Sequence, residues 1–463
     1  MNEHNQVASA SRPTKQQRLV LIVSILASFV VFLDGSVVNV ALPAIARDLG
    51  GGLSVQQWAV DAYLLSLGSL ILIAGSLSDL FGRKKILSAG LLGFGLASLL
   101  CALAPTSGIF IASRALQGVA GALLVPSSLA LIISSFSGSS QGKAIGSWTG
   151  WTGISFLIGP LLGGFLVDAV SWRFIFVINL APIALTLWLL RKLALHELHS
   201  KAVRVDYIGA VLCALGLGGP VYALIEQPHH GWTSLQTLLP LVGGLLLLAA
   251  FSWYEQRIDY PMMPFELFKV RNFSVGNIAT TTIYGGLSIA TFLLIVFVQQ
   301  VGHYSALAAG MALLPVTLIM FFLSPRFGAL AAKFGPRFFM AAGPLLAAAG
   351  FTLFLRIDQT VTYWSQLFPG IIVFGLGLSM TVAPLTSAIL GAIKSEHAGI
   401  GSAINNAISR IAGLIAIAAV GVVVGPQVNL AGFHRSVFVM AGLLVLGGVI
   451  SAVGIQNRSK LAG

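Results

Sequence analysis

The sequence predicts an all-α integral membrane protein of fourteen transmembrane helices, arranged as two six-helix bundles with a two-helix hairpin inserted between them. Three observations lead there. Only 9% of the 463 residues are charged and 57% are hydrophobic; a soluble domain carries about 25% charged residues, so this chain could not keep its surface wet. The apolar residues form fourteen continuous runs, each roughly 18–25 residues long, the length a helix needs to cross the hydrocarbon core. Continuous runs exclude a β-barrel, whose strands alternate apolar and polar residues. Finally, Lys and Arg gather in every second connection between runs, the asymmetry that orients membrane helices.

The first run, 19–43, follows Arg12, Lys15 and Arg18 and is trailed by Ala44-Ile45-Ala46. That is the outline of a secretory leader. The run is too long for one, and it holds Asp34, Asn39 and Pro43, so it is read as span one. The others follow at 58–77, 86–104, 109–134, 142–168, 172–190, 206–226, 236–254, 273–298, 306–325, 337–355, 363–390, 399–424 and 435–455. They divide the chain into a tail at 1–18, a first bundle at 19–195, the hairpin at 206–254, a second bundle at 272–455 and a tail at 456–463.

With the N-terminus in the cytoplasm, 20 of the 26 Lys and Arg residues fall on cytoplasmic segments and 4 outside, with Arg114 and Arg410 left inside spans. One missed helix would scramble this bias. Both termini are therefore expected in the cytoplasm of a cell whose membrane the chain crosses many times. The net charge of +12 belongs to topology, not to nucleic-acid binding. The 52 glycines suit close helix packing in lipid. Cys101 and Cys213 lie inside spans and offer neither a disulfide framework nor metal-ligand spacing.

A weak repeat relates the two bundles. Gly75-Ser76-Leu77-Ser78-Asp79-Leu80-Phe81-Gly82-Arg83-Lys84 follows span two, and Gly328-Ala329-Leu330-Ala331-Ala332-Lys333-Phe334-Gly335-Pro336-Arg337 follows span ten. Gly, Leu, Phe, Gly and a final cation match in register. Spans 1–6 then correspond to spans 9–14, the parallel repeat of six-helix transporter halves.

Candidate site residues are the polar groups that the lipid makes expensive. Asp34 lies within span one, where a carboxylate costs roughly 2.5–3.5 kcal/mol. Arg114, inside the outer end of span four, keeps its charge at any accessible pH and needs a partner or water. The two sit in the same outer half of the bilayer, either as an ion pair that locks two helices or as a pair that takes up and releases a proton. Asp61, between Trp58 and Tyr63 in outer span two, is either an interfacial carboxylate beside belt aromatics or an acid facing a cavity and drawing in cations. Tyr63 and Asn39 are candidate cavity residues beside it. Arg410 lies mid-span in helix thirteen with Asn405 and Asn406 a turn or less below. No acid in spans 9–14 can pair with it, so it must use carbonyls, the Asn side chains, water or a substrate anion. His229 and His230 are adjacent without a third ligand, so no metal site is expected.

Four segments carry a resemblance. They are Leu33-Asp34-Gly35-Ser36-Val37-Val38-Asn39-Val40-Ala41-Leu42-Pro43; Gly75 to Lys85; Arg114-Ala115-Leu116-Gln117-Gly118-Val119-Ala120-Gly121-Ala122; and Gly159-Pro160-Leu161-Leu162-Gly163-Gly164, followed by Trp172-Arg173-Phe174-Ile175-Phe176 and Asn179. Across nearly the whole chain these resemble the fourteen-helix drug:proton antiporter branch of the major facilitator superfamily. The resemblance implies the major facilitator fold and export of small hydrophobic or cationic compounds by alternating access. It also implies drive from a proton gradient with no cofactor, and a monomer whose partners are protons, its small-molecule cargo and lipid. It gives Asp34 and Arg114 the proton-coupling role. It makes Gly75, Asp79, Gly82, Arg83 and Lys84 a conformational latch, one-sided because Ala332 replaces the acid in the second copy. It makes Gly159, Pro160, Gly163 and Gly164 the hinge and seal between halves. A proton-coupled uptake symporter is the alternative, less favoured because of the Gly-Pro hinge. A polytopic sensor or enzyme would want a clustered constellation or a soluble domain, and neither is present. No Gly-rich loop with Lys-Ser/Thr points to ATP.

Overall fold

The computed structural model of the protein describes residues 13–194, 205–394 and 397–457. Arg12, Lys201, Arg204, Arg458 and Lys460 of the charge count, and the ends of both tails, lie outside the described residues. Fourteen helices are long and apolar enough to cross a membrane: α1 Lys15–Leu49, α2 Gly52–Phe81, α3 Arg83–Leu103, α4 Ser107–Ser135, α5 Ser140–Ala169, α6 Phe174–Arg191, α7 Tyr207–His230, α8 Leu235–Glu255, α9 Arg271–Gln300, α10 Ala306–Phe334, α11 Pro336–Arg356, α12 Tyr363–Leu390, α13 Gly399–Val424 and α14 Leu430–Gly454. Each matches an expected span.

Several ends differ from the sequence reading. Helix α1 runs on through Pro43 to Leu49, so Arg47 sits in its last turn instead of an outer loop. Proline removes one backbone donor but leaves the later turns free to bond. Likewise α2 and α10 continue to Phe81 and Phe334, so the repeated segment is helix broken by a single glycine. Gly82 has φ +94° and Gly335 φ +93°, a left-handed backbone that side chains rarely adopt. The repeat is thus a repeat of backbone geometry. His229 and His230 end α7 and do not lie in a loop. Helix α5 is interrupted at Ile154, just before Pro160, whose ring removes a further backbone donor.

The two halves pack by one scheme. In the first, α2 and α3 pair with α4, α1 with α4, α5 and α6, and α3 with α6. In the second, α10 and α11 pair with α12, α9 with α12, α13 and α14, and α11 with α14. Adding eight to each helix number of the first set reproduces the second. The halves meet symmetrically too, with α2 on α13, α5 on α10, and α1 on α9. Helices α7 and α8 pack on each other, and α7 reaches α2 and α13. Leu235, Leu239 and Leu246 of α8 are exposed, as befits a surface facing lipid.

The halves are sealed against each other at one end. There, Gly164 admits the backbone of Leu307, and Gly310 faces the carbonyl of Pro160. The Asp168 carboxylate accepts from the backbone N–H groups of Ala306 (3.0 Å) and Leu307 (2.8 Å), at the positive start of α10. Gln299 donates to the Val40 carbonyl at 3.0 Å. At the Lys/Arg-rich end, Gly142, Gly146, Gly150 and Gly153 of α5 face open space.

Candidate functional site

Helical spacing builds the centre of the first half. On α4, Arg114 and Gln117 are three residues apart and share a face. Gly118 and Gly121 lie further along the helix. A Cβ on Gly118 would strike the Tyr63 carbonyl, so α2 and α4 approach closely only because it has none. This proximity lets the Arg114 guanidinium lie 4.4 Å from the centre of the Tyr63 ring and donate from Nε to the Ala59 carbonyl at 2.8 Å.

Asp34, fully buried on α1, meets that face. Its Oδ2 accepts from Arg114 Nη1 at 2.7 Å. Its Oδ1 accepts from Gln117 Nε2 at 2.8 Å and from Asn179 Nδ2 at 2.9 Å. Arg114 Nη1 also donates to Gln117 Oε1 at 2.5 Å, and Gln117 donates to Ser98 at 3.0 Å. One carboxylate thus ties α1 to α4 and α6, with α2 and α3 drawn in through Arg114 and Gln117. Breaking such a buried pair by deleting one partner costs about 3–5 kcal/mol. The expected Asp34–Arg114 pair is present. Gln117, Asn179 and Ser98, which sequence reasoning did not assign to the site, complete it. Gln117 and Asn179 stand inside the quoted motifs; nothing local marks Ser98.

Beside this network is a cavity of 140 Å³ between the halves. Phe32, Gly35 and Asn39 of α1, Tyr63 of α2, Arg114, and Phe156 of α5 line one side; Ser288 and Thr291 of α9 and Arg410 of α13 line the other. Arg114 is in both the network and the wall, so a change at Asp34 can be felt by whatever the cavity holds.

The predicted substrate residues divide. Asn39, Tyr63 and Arg410 are at the cavity; Asp61, Asn405 and Asn406 are not among its lining residues. Asn405 donates to Asn277 Oδ1 and Thr280 Oγ1, both at 3.0 Å, and so fastens α13 to α9. Asn406 accepts from Arg410 Nε at 3.4 Å. Asp61 is neither interfacial nor in the cavity: it is fully buried, and neither oxygen has a hydrogen-bond partner among the described residues. It shares the face of α2 that carries Gln57 and Gly68, which pack on α13, and a single sequence does not reveal this. Tyr63 is buried beneath Arg114 and is not a belt residue, while Trp58 donates to Glu226 Oε1 of α7 at 3.3 Å. An unpartnered buried acid carries a desolvation cost of about 1–3 kcal/mol or more. Asp61→Asn should therefore leave the melting temperature of purified protein unchanged or raised, and should affect export of cationic and neutral compounds alike. A loss confined to cations would place Asp61 in contact with cargo.

Among the latch residues, Asp79 accepts from Arg83 Nη2 at 3.0 Å, and Arg83 Nη1 donates to the Ala130 carbonyl at 3.2 Å. Lys84 donates to the Leu193 carbonyl at 2.7 Å. Gly75 has open space beside it. In the second copy, Arg337 donates to the Ala452 carbonyl at 2.6 Å in place of an acid. Of the hinge residues, Gly159 and Gly163 press on Ser36 and Val37 of α1, while Pro160 and Gly164 press on α10. Among the described residues no three His, Cys, Asp or Glu side chains converge on a metal-sized point.

This fold and this central network define a membrane transporter of two pseudo-symmetric halves. The chain matches the Major Facilitator Superfamily over residues 24–417 and belongs to that family. It is 33% identical over 481 residues to the puromycin resistance protein of Streptomyces alboniger, covering 98% of this chain and 94% of that one. It is 33% identical over 408 residues to a multidrug resistance protein of Mycobacterium tuberculosis, covering 88% and 76%. Among solved structures, a D-xylose–proton symporter superposes with a TM-score of 0.68 at 16% identity, covering 95% of this chain and 98% of that one; the likeness is one of fold.

Proposed function

We propose that this protein is a proton-coupled antiporter that exports small hydrophobic or cationic compounds, such as antibiotics, by alternating access. The observation that carries the reading is the Asp34 carboxylate bound to Arg114 at 2.7 Å, with Arg114 also at the cavity wall between the halves. While Asp34 is ionised the pair is neutral as a whole. A proton on Asp34 leaves Arg114 uncompensated inside the bundle, and Arg114 must turn to water or cargo. Proton and cargo then act on one side chain, which is the physical requirement for exchange. Asn39, Tyr63 and Arg410 contact cargo. The units are 19–195 and 272–455, rocking about the glycine-rich seal of α5, with 206–254 a hairpin insertion. The latch residues Gly75, Asp79, Gly82, Arg83 and Lys84 hold the state closed at the basic end. Export is supported by the names of the resistance proteins above. A monomer suffices, since the cavity is walled by one chain.

The charge bias supports cytoplasmic termini. Cysteine placed at Lys85 should resist impermeant thiol reagents in intact cells, while cysteine at Val170 should react; the reverse pattern would invert the topology. The function itself is tested by a susceptibility screen of cells overexpressing the protein against chemically diverse toxic compounds. Raised tolerance that vanishes on collapse of the proton gradient is the expected result; unchanged tolerance to all of them, or greater uptake, would favour a symporter.

A further inference from the structure

Two of the residues that line the cavity bear a formal charge, Arg114 and Arg410. Arg114 is neutralised by Asp34 at 2.7 Å. Arg410 is not neutralised: among the described residues no carboxylate lies within ion-pair distance of it. Its recorded contacts are a 3.4 Å hydrogen bond from Nε to Asn406 Oδ1 and the Phe32 ring, 5.8 Å from its guanidinium carbon to the centroid. That leaves Nη1 and Nη2 without an acceptor among the described residues, at the cavity wall.

Several other arginines of this chain are satisfied with backbone oxygen. Arg83, Arg114, Arg271, Arg337 and Arg435 each donate to a main-chain carbonyl. A structural arginine at α13 would be expected to do the same, since an unmet guanidinium inside a membrane bundle is costly. A planar pair of terminal N–H groups also matches a carboxylate fork, which an ammonium would not. The surroundings describe the rest of the ligand. Phe32 and Phe156 stand 5.8 Å apart, ring centre to ring centre, on the facing wall, with the hydroxyls of Ser288 and Thr291 beside Arg410's side of the cavity.

We infer that Arg410 sets the charge preference of the cavity, and that the favoured cargo class is a hydrophobic anion: an aromatic or apolar body bearing a carboxylate or a comparable acidic head. This rests on the export reading above, keeping its hydrophobic cargo and replacing its cationic cargo with an anionic one. With Asp61 buried away from the cavity and Asp34 occupied, no free acid among the described lining residues offsets Arg410. Neutral apolar compounds enter by the same aromatic wall without the head-group contact, and cations meet repulsion.

The test uses the full chain in nanodiscs of phosphatidylcholine, in a low-salt zwitterionic buffer so that neither a buffer anion nor acidic lipid competes. The probes are a matched series on ten aromatic scaffolds, each as carboxylate, primary amide and amine, beginning with 2-naphthylacetate, 2-naphthylacetamide and 2-naphthylethylamine. Wild-type protein should bind the carboxylates about tenfold or more tighter than the amides, as one charge-assisted contact implies, and the amines weakest. Arg410→Gln should erase the difference between carboxylate and amide while leaving amide binding in place, and Arg410→Lys should restore part of it. Amide binding by the variant shows that the cavity is intact. Equal binding of carboxylate and amide by wild type, a preference that survives Arg410→Gln, or no carboxylate bound at all overturns the inference. If cells still gain gradient-dependent tolerance to neutral compounds, the export reading stands without it; if that tolerance is also missing, the export reading itself has failed.

Discussion

Asp34→Asn should reduce pH-gradient-driven export in reconstituted vesicles to the level of empty vesicles. The amide keeps the shape of the carboxyl group and can still bond to Gln117 and Asn179, but it cannot carry charge. It therefore mimics the protonated state permanently, with Arg114 left unpaired. Binding of cargo should survive, because Asp34 itself is fully buried and it is Arg114 that reaches the cavity. Arg114→Ala should also damage transport: it removes the cation, strands Asp34 and costs about 3–5 kcal/mol of stability. Arg114→Lys keeps the charge but loses the fork that serves Asp34, Gln117 and Ala59 together, and should damage transport less than Arg114→Ala. Wild-type rates and a normal response to the gradient from the Asn variant would show that the proton is carried elsewhere.

Gly164→Val should also abolish export, by a different route. A Cβ at Gly164 would lie 2.7 Å from the Leu307 nitrogen and 2.8 Å from the Ala306 carbonyl oxygen, and closer still to the Leu307 Cα. These are backbone atoms that Asp168 holds in place, so they cannot swing aside as a flexible side chain would. The outer ends of the halves could not then meet as they do here. The contacts within each bundle are untouched, so the protein should still fold. Spin labels at the exposed Val170 and His303 should report a longer separation in the variant than in wild type. Gly146→Val makes the matched control: nothing lies within 4 Å of it in this arrangement, so the seal should remain. An unchanged label distance and normal export in Gly164→Val would remove α5 from the gating surface.

Much of this was legible in one dimension, for physical reasons that operate locally. Lipid offers backbone groups no hydrogen bonds, so every crossing must be a long apolar helix, and length and hydropathy alone located all fourteen. A glycine held at φ near +94° leaves its mark as Gly82 and again as Gly335, so the repeat of the halves could be read from two short segments. The cost of burying charge in a span singled out Asp34, Arg114 and Arg410. The helix ends that run past their expected limits, after Pro43, Leu77, Glu226 and Pro325, do so because proline or charge near an interface weakens the signal without ending the helix. Facing was another matter. Asp34, Asp61 and Asn405 are each polar residues inside apolar spans. Whether such a residue finds Arg114, finds nothing, or fastens α13 to α9 depends on which helices lie against it and at what rotation. Those are set by contacts between residues as far apart as Asp34 and Asn179, or Gly164 and Leu307. Periodicity records that a span crosses the bilayer; only the packed bundle settles which of its polar groups meets the cavity, because in a helix surrounded by other helices every face is apolar enough to be buried.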